Sequence, residues 1–126
     1  MSVDSRDVSL AVPARPDCLV LARLALAAVC RLTPLGPTEV ADLKLALTEA
    51  AGAFVAEDGH SGEDEGEDGA RLDFTFRLED DRLVLEMTGP PPASPGADQE
   101  LGRAIIQATV DRADFAVDRA VLVKDL

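Results

Sequence analysis

A chain of 126 residues, 47% of them hydrophobic, is long enough for one domain with a real core, too short to divide comfortably into two, and too apolar to be disordered. Its formal charge of −12 sets the surface against phosphate backbones and anionic membranes, which argues against nucleic acid as a direct partner and favours a basic protein. One histidine, His60, and two separated cysteines, Cys18 and Cys30, leave no material for a thiolate or imidazole zinc site.

Val8, Leu10 and Val12 alternate with Ser9 and Ala11 ahead of Pro13, the period of two of a short strand. Pro16 suits a first helical turn, and from there to Leu32 the residues Leu19, Ala22, Leu26 and Val29 recur at steps of three and four. That spacing predicts a helix with one core stripe. Cys18 and Cys30 fall on it about 18 Å apart, beyond the roughly 7 Å a disulfide permits between Cα atoms. Opposite the stripe lie Val20, Leu24, Ala27 and Ala28, with Arg31 at their edge and Arg23 nearby. This second apolar stripe is covered either by the rest of the fold or by a partner.

Thr33, Pro34, Gly36 and Pro37 end that helix, and a second one is predicted from Thr38, with Val40, Leu43, Leu47, Ala50 and Phe54 on one face, ending before Gly59. Glu57 to Gly69 mixes glycine with crowded carboxylates that repel one another, so a mobile acidic loop is expected there. A calcium loop does not fit, because His60 stands two residues after Asp58 where an oxygen ligand is required. Leu72, Phe74 and Phe76 alternate with polar residues, and Leu83 to Met87 follows the turn-like Glu79, Asp80 and Asp81, which together predict a hairpin. Prolines remove donors throughout Gly89 to Gly96, which must be a loop.

Asp98, Gln99 and Glu100 place acidic and polar groups at the start of a third helix, whose apolar face is expected to be Leu101, Ala104, Ile105 and Ala108. Phe115 and Val117, then Val121 to Val123, read as two closing strands. The order is β-α-α-β-β-α-β-β, without repeats or an alternating βαβ series. It predicts a single α+β domain over residues 1–126, a two-layer sandwich with helices on one face of a mostly antiparallel sheet. No apolar run approaches the roughly 20 residues that span a bilayer. Met1 to Asp7 lack the layout of a signal peptide, so a cytoplasmic protein is expected.

The stretch VADLKLALTEA, Val40 to Ala50, resembles the second helix of the bacterial anti-sigma factor and serine-protein kinase family within the GHKL ATPases. VSLAVPARPDCLVLARLALAAVC, from Val8, is similar to that family's first strand and helix. LVLEMTGPPP, from Leu83, stands where its aspartate-and-glycine box belongs, and LGRAIIQATVDRADF, from Leu101, resembles its last helix. The likeness covers nearly the whole chain and keeps the family's order and spacing.

The resemblance implies an ATP site, and the same alignment shows it eroded. Glu49 matches the glutamate with which the family activates the attacking group, but Ala53 stands four residues on, where an asparagine ligates magnesium. An i, i+4 pair shares a helix face, and magnesium needs oxygen ligands that alanine does not offer. Met87 replaces the aspartate that accepts a hydrogen bond from adenine. Gly89 keeps the box's first glycine, and Pro91 replaces the second. Gly102 survives in the last box, while Glu100 stands where a further glycine is expected and would repel a triphosphate. Three lost charge-assisted contacts at about 1.5–3 kcal/mol each would remove most of the roughly 8 kcal/mol of a micromolar ligand. Glu49, Gly89 and Gly102 are therefore vestiges and no cofactor is expected.

Relatives dimerise through their sheets and grip sigma factors near the first helix, which makes Val20, Arg23, Leu24, Ala27, Ala28 and Arg31 the expected partner-binding residues. The function so implied is that of an anti-sigma-like regulator that binds a sigma factor, an anti-anti-sigma protein of the STAS type, or both, without phosphorylating. The alternative is a divergent serine-protein kinase using Mg-ATP.

Overall fold

The computed structural model describes residues 6–55, 70–90 and 97–126. The loop expected at Glu57 to Gly69 lies outside the described residues, as does Pro91. The elements run β1 (Arg6–Pro13), α1 (Leu19–Cys30), α2 (Pro37–Gly52), β2 (Arg71–Leu78), β3 (Arg82–Thr88), α3 (Ala97–Thr109), β4 (Arg112–Ala116) and β5 (Arg119–Asp125). The five strands form one antiparallel sheet in the order β1-β2-β3-β5-β4, and with the three helices they make an α+β fold.

Alternation along each strand gives the sheet an apolar inner face and a mixed, largely charged outer one. The register sets Leu10 and Val12 opposite Phe74 and Leu72, then Phe74, Phe76 and Leu78 opposite Met87, Leu85 and Leu83. Leu85 and Met87 in turn oppose Leu122 and Ala120. These residues line the inner face, and all but Leu10 are buried. The other face carries Asp73, Thr75, Arg77, Glu86, Thr88 and Arg119 around a valine patch of Val84, Val121 and Val123, of which Val84 is buried. There Glu86 accepts from Arg77 at 3.4 Å and from Arg119 at 2.7 Å. At this exposure each ion pair contributes only about 0–1 kcal/mol, so the apolar inner face, not the charged one, holds the sheet to its helices.

On the inner face α1 packs against β1 and β2, while α2 lies between α1 and α3. The first turn after β1, Pro16–Cys18, is a 3-10 turn, and the regular helix starts only at Leu19. Leu19, Ala22, Leu26 and Val29 are all buried, as the spacing predicts. The start of α2 is fixed by Pro37 in the first turn and by Glu39, whose Oε1 accepts the Gly36 N–H at 3.0 Å. Its buried face is Leu43, Ala46, Leu47, Ala50 and Ala51, continued by Phe54 beyond the helix end.

Two expectations fail. The inward side of α3 is not Leu101, Ala104, Ile105 and Ala108: Leu101 is 64% exposed, and Gly102, Ile106 and Val110 are the buried positions. The helix is turned by about one residue relative to that expectation and packs on α2, with Gly102 facing the Glu49 side chain. Val117 is not in a strand either. It lies 69% exposed in the turn between β4 and β5. Among the described residues no helix is long and apolar enough to cross a membrane.

Candidate functional site

Two regions collect the residues singled out from the sequence. The first surrounds the far end of α2. Glu49 is half-buried there and faces α3: a Cβ built on Gly102 would stand 3.2 Å from Glu49 Oε1. Ala53 caps the C-terminal end of the same helix. Gly89 follows β3 and donates its N–H to the Asp118 carbonyl at 3.1 Å, which ties it to the β4–β5 turn. A Cβ on Gly89 would meet Leu72 Cδ1 at 2.9 Å and Phe54 Cβ at 3.2 Å. Folding thus brings Glu49 to Gly102, and separately closes Gly89 against the core through Phe54 and Leu72.

These residues do not suit a magnesium nucleotide. Met87 is 0% exposed, its thioether turned into the apolar inner face of the sheet. A thioether is in any case a weak acceptor. Ala53 offers a methyl group where an oxygen ligand to magnesium is needed. Phe54, one residue on, is buried against Gly89, so the approach of a phosphate to that backbone is filled by an aromatic ring. Glu100 is exposed and adds negative charge at the start of α3.

The Gly89 contact yields a direct test. Leu72 is fully buried and Phe54 nearly so, which leaves neither free to move aside. Gly89→Ala should therefore cost about 1–3 kcal/mol, the range for an overpacked core, read as a lowered midpoint in urea. An unchanged midpoint would mean that the seam is loose.

The second region is the outward side of α1. Val20, Leu21 and Leu24 are 43%, 47% and 62% exposed, and Ala28 and Arg31 are exposed beyond them. Arg23 and Ala27 are half-buried and point toward α2, where the Arg23 guanidinium donates to Thr48 Oγ1 at 3.4 Å. The six residues expected at a partner surface thus divide into four on the outer face and two at the α1–α2 seam. Leu21 was missed although it stands three residues before Leu24 and seven before Ala28, the same helical spacing as the second stripe.

Beside this face the end of α1 and the start of α2 enclose an open groove of about 640 Å³. Ala27, Cys30 and Arg31 line one side, and Val40, Ala41 and Lys44 the other. Thr33 shapes its end: the hydroxyl donates to the Cys30 carbonyl at 2.7 Å and accepts the Leu35 N–H at 3.2 Å, turning the chain from one helix into the next. Burial pushes the Cys30 thiol above its ordinary pKa, and the nearby Lys44 ammonium pulls it partly back. No protein-family model matches this chain, and no curated protein matches it either.

Proposed function

We propose that this protein is a regulator of the anti-sigma kind, acting in the cytoplasm by holding a partner protein through α1 and not by phosphorylating it. The observation that carries the reading is the uncovered apolar face of Val20, Leu21, Leu24 and Ala28, with Arg31 at its rim, on an otherwise acidic molecule. A contiguous apolar strip of this kind, edged by a charge that can pair, is the usual anatomy of a protein interface. The resemblance of Val8 to Cys30 and of Val40 to Ala50 to the anti-sigma and serine-protein kinase family points to a sigma factor or a STAS-type antagonist as the partner. A net charge of −12 adds reach: sigma factors expose basic surfaces, and opposite fields speed encounter in a salt-sensitive way. The outer face of the sheet, built around Glu86, Arg77 and Arg119, is the surface on which a second copy would pair.

A kinase reading draws on Glu49, which still faces α3 at Gly102. A general base needs a metal-bound nucleotide to act on, and the packing of Met87, Phe54 and Gly89 speaks against one. The deciding experiment incubates the protein with candidate sigma factors and STAS-type proteins in the presence of labelled Mg-ATP. Stable complexes without transferred label are expected. Transfer that disappears in Glu49→Gln would put the kinase reading first.

A further inference from the structure

We infer that the groove between α1 and α2 binds a small amphipathic anion, an apolar body carrying one carboxylate or sulfonate head. Its volume, about 640 Å³, lies within the range of small-molecule sites, about 300–1,000 Å³, and it is open to solvent. The floor and walls at Ala27, Cys30, Val40 and Ala41 take the apolar body. The head belongs between Arg31 and Lys44.

The charge pattern is what selects an anion. The chain carries twice as many acidic as basic residues, 24 against 12, yet no Asp or Glu lines this groove and two cations do. Among the described residues Arg31 and Lys44 take part in no ion pair, as is also true of Arg23, Arg71 and Arg103, but only these two line the groove. Burial keeps the Cys30 thiol neutral, so the groove supplies no anion of its own to the two cations. Arg31 sits at the end of α1 and Lys44 more than a turn into α2, and both line the groove. Guanidinium and ammonium both form charge-assisted hydrogen bonds to carboxylate and sulfonate oxygens.

The test needs no protein partner, so its outcome is separate from that of the anti-sigma reading. Anilinonaphthalene sulfonate, a fluorescent amphipathic anion, is titrated into the folded protein, and octanoate or octylammonium is then added as competitor. One saturable site is expected, displaced by octanoate and not by octylammonium. Arg31→Gln and Lys44→Gln should each weaken the dye about tenfold, the scale of one charge-assisted contact. Ala41→Phe, which fills the groove from an exposed position, should abolish binding, with circular dichroism melts confirming that all three variants fold. The inference is overturned if the dye does not bind, if octylammonium competes as well as octanoate, or if the glutamine variants bind as tightly as the parent. It is equally overturned if Leu24→Ser removes the dye while Ala41→Phe does not, since the dye would then lie on the outer face of α1.

Discussion

Met87→Asp should destabilise the protein by about 3–5 kcal/mol, the cost of a buried charge left without a partner, and should not create a nucleotide site. Met87 is 0% exposed in β3, set between Phe74 and Ala120 in the sheet register. None of these neighbours can donate to a carboxylate. The substitution installs the side chain that the resembling family places here, yet the surroundings are apolar and would force the acid to be neutral or the strand to give way. Met87→Leu, which keeps volume and polarity, should cost less than about 1.5 kcal/mol. Denaturant melts of the two variants decide the matter. A Met87→Asp protein as stable as the parent would show that water and ligands reach this position after all.

On the proposed function, Leu24→Asp should weaken binding to a sigma factor or STAS-type partner by about thirtyfold or more, the loss of one interface hot spot. Leu24 is 62% exposed at the middle of the outward face of α1, flanked one turn away on either side by Val20 and Ala28. Its side chain contributes little to the core, so stability should change by no more than about 0.5 kcal/mol. That split between affinity and stability is the signature of a docking residue. Equal loss of both would instead assign Leu24 a packing role, and loss of neither would move the interface elsewhere.

Most of the fold is legible in the residue pattern because its elements are regular and one-sided. Leu72, Phe74, Phe76 and Leu78 alternate and are all buried, and the Leu19, Ala22, Leu26 and Val29 stripe faces the sheet. The third helix misleads for a physical reason. Counting apolar residues selects Leu101 and the alanines around it, but the face that packs on α2 runs through Gly102, which is buried beside the Glu49 side chain. Gly102, Ile106 and Val110 recur every fourth residue, a signal present in the sequence but outweighed by leucine.

The candidate site divides in the same way. Helical spacing alone places Val20, Leu24, Ala28 and Arg31 together opposite the core stripe, but that the fold leaves them uncovered is seen only in the structure. The closing of Gly89 by Phe54 and Leu72 does not follow from spacing, because those residues come from separate segments that meet only on folding. The groove is hidden for the same reason: two helices and the Thr33 turn build it, and no single stretch carries its pattern.

Titrating Mg-ATP and Mg-ADP into the purified protein by calorimetry tests the proposed mode of action most directly. With Met87 sealed in the core, a methyl at Ala53 and Phe54 seated on Gly89, neither nucleotide should give saturable heat at millimolar concentration. A one-to-one isotherm in the micromolar range, lost when magnesium is chelated, would contradict it.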